Sequence, residues 1–280
     1  MNFLTKEVGE MKDIFRFSEK PKFENPSLIV GWNKDAGKLS PKVIEYLNKE
    51  MNCRSFCEIE PADFFSLGGV AIENNIAQFP ENRFYCSDSD DLVLFKGDEP
   101  RFERHRFLNA LSDLAEHYCN VKELYTISGT ISAIAHTGSR KILAVFNQHE
   151  FQEKLQGYGP EDMTWKGSPA ISSYLLWVAE KRGIAGVSLW TQVPFYLAAA
   201  EDFQAIKVTL SFLGKRFNLN VDLKDLDVEI KKQNAKVAQL RQDDSEIDES
   251  IGALERGLSL VEDEQMELTK RVTEFLGNDG

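Results

Sequence analysis

The spacing of apolar positions changes several times along the chain, and each change marks a different kind of element. The first 26 residues are polar with scattered Phe15, Phe17 and Phe23, which reads as an N-terminal arm lying against a domain. Leu28-Ile29-Val30-Gly31-Trp32 is then a short continuous apolar run, the pattern of a strand buried on both faces. Ser40-Pro41 opens a helix, since Ser40 can cap free backbone N–H groups and Pro41 loses no donor at the first helical position. Val43, Ile44 and Leu47 form its apolar face. Short runs over 55–59, 70–73, 76–79, 83–87 and 92–95, separated by turn residues, predict further strands of a mixed sheet.

Helical spacing returns over 104–119, where Phe107, Leu108, Leu111 and Leu114 recur, and again over 171–181 and 202–217. Between and after these helices, 123–128, 141–146 and 186–190 are apolar enough for core strands. The alternation predicts an α/β fold, a mixed sheet flanked by helices, over residues 27–222. Loops at the C-terminal ends of its strands are the usual binding places, which singles out 33–40, 129–140 and 191–196.

From Leu223 onward a 3,4 spacing holds through Leu226, Ile230, Val237, Leu240, Ile247, Ile251, Leu254, Leu258, Val261, Leu268, Val272 and Phe275, with Gln233, Asp244 and Gln265 filling its gaps. The polar interruption Gln242-Asp243-Asp244-Ser245 divides it, with Ser245 and Asp248 placed to cap a second helix, so residues 223–280 are expected to form a coiled-coil-like helical hairpin. A single long helix is the alternative, because the heptad phase survives the interruption. The stripe serves either to pack on the core or as an interaction arm. For the arm, Leu240, Ile247, Ile251, Leu254, Leu258 and Val261 are the partner-binding candidates.

Charge narrows the partners. The net charge of -12 argues against nucleic acid, whose phosphates need a basic surface, and -7 of it lies in residues 223–280, with 15 acidic and 8 basic side chains. No apolar run approaches the length of a membrane span and residues 1–11 lack a secretory apolar segment, so a cytoplasmic protein is expected. Cys53, Cys57, Cys86 and Cys119 contain no Cys-x-x-Cys pair and read as reduced, buried thiols.

Catalytic patterns are tested and mostly fail. Between Gly31 and Gly37 lie five residues where a phosphate loop has four, and Leu39 follows Lys38 where a Ser or Thr is required. Gly186-Val187-Ser188-Leu189-Trp190 lacks the second glycine of a nucleophile elbow. The acidic run from Ser87 to Asp91 lacks calcium-loop spacing, and no histidines stand at metal-ligand spacing, so neither metal nor cofactor is expected. Only His136, in a loop, is a candidate acid or base, set against a plain hydrogen-bonded loop histidine.

Three motifs carry a resemblance. Gly31-Trp32 with Asp35-Ala36-Gly37 and Tyr46-Leu47 is similar to the opening strand, loop and helix of the proteasome assembly chaperone 2 family. Gly183-Ile184, Ser188-Leu189-Trp190, Val193-Pro194 and Tyr196-Leu197-Ala198 resemble its late strand and Pro-containing loop. Gly129 with His136-Thr137 is similar to a His-Thr-Arg-Pro element, from which Gly138-Ser139-Arg140 departs, and Phe195 stands where many relatives carry histidine. The resemblance implies a layered phosphorylase/hydrolase-like domain, a homo-oligomer, and chaperone behaviour toward a protein partner of unknown identity. The chain given ends Leu276-Gly277-Asn278-Asp279-Gly280, without the hydrophobic-Tyr-any terminus by which some relatives dock proteasome rings.

Two functions from different classes follow. The first is a non-enzymatic, homo-oligomeric protein-binding and assembly factor. The second is an enzyme or sensor for a small nucleoside-like or anionic ligand held at the strand ends by Asn33, Asp35, Ala36, Gly37, Gly129, His136, Thr137, Trp190, Pro194 and Tyr196, with Trp190 stacking on the ligand and His136 exchanging a proton.

Overall fold

The structure is a computed structural model and describes residues 14–66, 70–73, 75–87, 91–164 and 170–277. The start of the expected N-terminal arm and the middle of the acidic run between Ser87 and Asp91 lie outside the described residues. In chain order the elements are β1 (Phe15–Phe17), β2 (Ser27–Trp32), α1 (Leu39–Glu50), β3 (Arg54–Ile59), β4 (Ala71–Glu73), β5 (Ile76–Gln78), β6 (Asn82–Cys86), β7 (Leu92–Gly97) and α2 (Arg104–Asp113). There follow β8 (Glu123–Ser132), β9 (Ile142–Phe146), α3 (His149–Leu155), β10 (Glu161–Asp162), α4 (Ile171–Lys181), β11 (Ala185–Pro194), α5 (Phe203–Phe217), α6 (Lys224–Asp243), α7 (Ser245–Glu255) and α8 (Glu262–Gly277).

Nine strands form one mixed sheet in the order β1-β3-β6-β7-β2-β8-β11-β9-β10. Its centre, β7-β2-β8-β11, is parallel, and antiparallel pairs extend it on either side. The continuous apolar run of β2 is buried throughout because successive side chains enter two different layers. Ile29 joins Val43, Ile44 and Leu47 of α1 and Ile206 and Leu210 of α5. Leu28, Val30 and Trp32 join Phe107 and Leu111 of α2 and Leu175 and Val178 of α4. The arm is tied down where it is described: β1 is an edge strand whose Phe15 pairs with Ile59 of β3.

Several expectations are corrected. Ser40 does not cap its helix: α1 starts at Leu39, the Ser40 hydroxyl accepts a hydrogen bond from the Trp32 N–H at 2.8 Å, and the Ser40 N–H donates to Asp35 Oδ2 at 2.9 Å. The cap comes from the loop in front of the helix. The runs at 70–73 and 76–79 do not join the main sheet but pair with each other as a separate two-stranded hairpin.

The tail makes three helices where two were expected, because it breaks twice. At the first break the Asp244 carboxylate, not Ser245, accepts from the N–H groups of Glu246 and Ile247. At the second, Gly257 takes the left-handed conformation with φ +75° and ends α7. Nor is the stripe free for a partner along most of its length. Leu240, Ile247, Ile251 and Leu254 are buried with Leu226, Val237, Leu268 and Val272 in the same core as α1 and α5, whereas Leu258 is 54% and Val261 65% exposed. An amphipathic stripe shows that one face is covered; it does not show by what.

Candidate functional site

The parallel strands β2, β8 and β11 deliver three loops to the same end of the sheet, where backbone and buried side chains tie them together. After β2 the chain turns through Ala36–Lys38, with Gly37 at φ +66°, a conformation that costs a Cβ-bearing residue free energy. The turn brings Asp35 beneath the end of β8. Its carboxylate accepts the Gly129 N–H at 2.9 and 3.0 Å as well as the Ser40 N–H, so one side chain joins the first loop, the helix α1 and the strand β8. Gly129 has to be glycine for this approach: a Cβ there would lie 2.4 Å from the Ala36 carbonyl oxygen.

The loop after β11 closes on both of the others. The Gly37 N–H donates to the Ala198 carbonyl at 2.9 Å, and the Asp202 N–H donates back to the Gly37 carbonyl at 3.0 Å. Past Pro194, which ends β11, a single turn at Phe195–Leu197 buries Tyr196. The Tyr196 hydroxyl accepts the His136 N–H at 2.6 Å and lies 2.9 Å from His136 Nδ1, close enough to donate to it when that nitrogen is unprotonated.

At the centre lies a buried ion pair. Arg140 and Asp202 side chains are 1% and 0% exposed, with Arg140 Nε donating to Asp202 Oδ2 at 2.9 Å. The same guanidinium donates to the carbonyls of Ala135 at 3.3 Å, Gly138 at 2.6 Å and His136 at 3.3 Å, fixing the second loop. Asp202 also caps α5 by accepting from the N–H groups of Gln204 and Ala205. Every charge is thus met by polar partners, the condition under which a buried pair persists.

Burial dominates the protonation states. It holds His136 down to about 4, with the nearby Arg140 and Arg241 guanidiniums pushing the same way, so this histidine is neutral at physiological pH. Asp35 is pushed up to about 7 by burial and by Glu99, against the backbone N–H groups of Gly129, Ser40 and Ala36 that pull it down. The Tyr196 phenol is raised, chiefly by burial.

Of the residues singled out by sequence, Asp35, Ala36, Gly37, Gly129, His136, Pro194 and Tyr196 meet in this assembly. Thr137 lies on its outer side and donates to Glu255 Oε1 of α7 at 3.0 Å, so the tail reaches the second loop. Asn33 sits apart: its N–H donates to the Gly97 carbonyl at 2.8 Å and its Oδ1 is buried without a partner among the described residues. Trp190 also stands apart. It is half-buried on β11, while its neighbours Leu189 and Thr191 face the α1 and α5 layer, where Thr191 meets Thr209. A stacking role beside His136 is not supported by this placement. Arg140 and Asp202, which hold the assembly together, were not among the sequence candidates. An Asp immediately before a helical run is a capping signal, but nothing local pairs it with an arginine 62 positions away.

Beside the assembly, toward α5 and α6, runs a groove of about 710 Å³. Thr137, Arg140, Lys141, Tyr158, Lys207 and Lys215 contribute to its lining, with Glu161 and Asp227 as its carboxylates. Lys141 pairs with Glu161 at 3.0 Å, and Lys207 with Asp227. Among the described residues no group of three or more His, Cys, Asp or Glu side chains could hold a metal ion.

A mixed sheet layered by helices, with loops of the Asp-Ala-Gly and Val-Pro types at one end, defines an α/β class to which known proteins can be compared. The model of the PAC2 family matches residues 28–241, and the chain belongs to that family. The proteasome activator PbaB of Pyrococcus furiosus is similar at 22% identity and TM-score 0.68, over 81% of this chain and 98% of its own. A proteasome-assembly chaperone homologue of Mycobacterium tuberculosis is similar at 17% identity and TM-score 0.69, over 80% and 99%. A Corynebacterium glutamicum protein of unknown function reaches TM-score 0.74 at 19% identity, over 87% and 96%. At these identities the likeness concerns the fold. No curated protein matches the chain in sequence. Among the described residues no helix is long and apolar enough to cross a membrane.

Proposed function

We propose that this chain is a homo-oligomeric, assembly-chaperone-like protein that works by binding another protein. The observation that carries the reading is membership of the PAC2 family, together with similarity to solved structures that include a proteasome activator and a proteasome-assembly chaperone homologue. The strand-end assembly supports it. Its histidine is neutral, buried and bonded to Tyr196, and its arginine and aspartate are spent on each other and on three loop carbonyls, which is what a rigid scaffold needs.

Of the six tail positions first considered for a partner, Leu258 and Val261 retain that role because they are exposed between α7 and α8. Tagged protein purified gently from its own cells should carry a protein partner at fixed stoichiometry. A Leu258→Glu, Val261→Glu double variant should lose that partner while keeping its melting temperature. A wild-type protein that purifies without any partner would overturn the reading.

The groove beside Thr137 favours a second reading, a small anionic ligand, because, with Arg140 neutralised by Asp202, its lining carries Lys141, Lys207 and Lys215 against Glu161 and Asp227 in a chain of net charge -12. Thermal shifts with AMP and inorganic phosphate, absent in a Lys207→Glu, Lys215→Glu variant, would support it. Flat melting curves at millimolar concentrations would count against it.

A further inference from the structure

The cations of the groove beside Thr137 are not equivalent. Arg140 is neutralised by Asp202, and Lys141 and Lys207 face Glu161 and Asp227, whereas Lys215 makes no ion pair among the described residues. Lys207, Ser211 and Lys215 stand at i, i+4 and i+8 on α5, so they follow one another along one side of the helix. The two lysine Cα atoms are about 12 Å apart, near enough for their flexible stems to converge over the Ser211 between them.

An aromatic ring stands beside this column. Phe212 is turned by about 100° from Ser211 around α5, and its ring meets that of Tyr158 edge-on at 6.3 Å between centroids. The Arg216 guanidinium lies 5.7 Å from the Tyr158 centroid and is itself fixed, donating to the Tyr125 hydroxyl at 2.8 Å and to Glu123 Oε2 at 2.6 Å. Arg216 is no part of the groove's lining, but Tyr158 is, and it remains 38% exposed. The ring is therefore positioned in advance, with surface left to stack on. From α6, Asn234 brings an amide and Asp227 a carboxylate, groups that bind hydroxyls.

We propose that this groove takes a nucleoside monophosphate, its phosphate held by Lys207 and Lys215 over Ser211 and its base stacked on Tyr158. This deepens the anionic-ligand reading and rests on it. Cations, hydroxyl-binding groups and a fixed ring within about 710 Å³ correspond to phosphate, sugar and base, whereas an inorganic anion would use the cations alone. Every base has a π-face, so stacking registers that a base is present and tolerates its identity.

Calorimetric titration of the full chain with AMP and with ribose 5-phosphate, which has the sugar and phosphate without the base, tests the proposal. AMP should bind at least about 10-fold more tightly. Tyr158→Ala should bring AMP down to the level of ribose 5-phosphate, and Tyr158→Phe should keep the difference. Lys215→Glu should weaken both ligands at least about 10-fold. Tyr158 and Lys215 are exposed, so these variants should melt with wild type, and the comparison of the two ligands on wild type depends on no variant. Equal affinities for AMP and ribose 5-phosphate, or AMP binding untouched by Tyr158→Ala, would overturn the base site and leave the anionic-ligand reading standing. A wild-type chain that binds neither at millimolar concentrations would overturn both.

Discussion

Replacing Arg140 with Met should be among the most damaging single changes outside the hydrophobic core. Met keeps the length of the stem and removes the guanidinium, leaving Asp202, with no exposed side-chain surface, without its counter-ion. The carbonyls of Ala135, His136 and Gly138 lose their shared donor at the same time. Breaking a buried pair on one side costs roughly 3–5 kcal/mol, because the surviving charge has nowhere to be solvated. Asp202 retains the two N–H groups of its cap, which keeps the cost within that range. For a chain of this size each kcal/mol lowers Tm by about 2–4 °C, so a fall of roughly 6–20 °C is expected.

Thermal unfolding followed by circular dichroism would read it, alongside Asp202→Asn and the double variant. Asn can still accept from the α5 N–H groups but carries no charge, so the double variant should recover about 1–3 kcal/mol relative to the sum of the single changes. An Arg140→Met variant within about 1 kcal/mol of wild type, or strictly additive changes, would refute the claim that this pair holds the loops.

Three further outcomes follow from the same structure. Asp35 is raised from 3.8 to about 7, so its carboxyl adds stability in full below pH 4 and loses it as pH rises through 7; from pH 4 to 7 wild type should lose up to about 4 kcal/mol relative to Asp35→Asn, measured by urea unfolding. Cys57 and Cys119 are buried and pushed up to about 12, chiefly by burial, and Cys86 is buried too, so a thiol reagent at pH 8 should label the half-buried Cys53 first and the others on the timescale of unfolding. Deleting residues 223–280 should yield an aggregating or molten core rather than a folded domain without its arm, visible as lost near-ultraviolet dichroism, because Leu226, Val237, Ile247, Ile251 and Val272 lie in the main core.

Much of this architecture was legible because periodicity reports burial directly. The continuous run from Leu28 to Trp32 is a central strand, and the Phe107 to Leu114 spacing is a helix facing the sheet. The loops at 33–40, 129–140 and 191–196 do meet, as their places after parallel strands implied. What periodicity does not carry is the identity of the covering surface. The tail stripe therefore read equally well as an arm, although most of it packs at home, while the hairpin's apolar face read as part of the main sheet. Long-range polar pairs are likewise silent in sequence. Asp35 gave no local sign that it would cap Ser40 and bind Gly129 at once, and Arg140 and Asp202 belong to different loops. Trp190 was placed beside the histidine by its position at a strand end, whereas the two-residue alternation of β11 turns it from Leu189 and Thr191.

The central claim is that this PAC2-family chain acts through protein contacts on a rigid scaffold. Native mass spectrometry of the protein purified gently from its own cells tests it most directly, since one spectrum reports copies of the chain, bound protein and bound small molecules together. The account predicts more than one copy of the chain carrying a stoichiometric protein partner. A single copy, or an assembly whose only added mass is a small molecule, would contradict it.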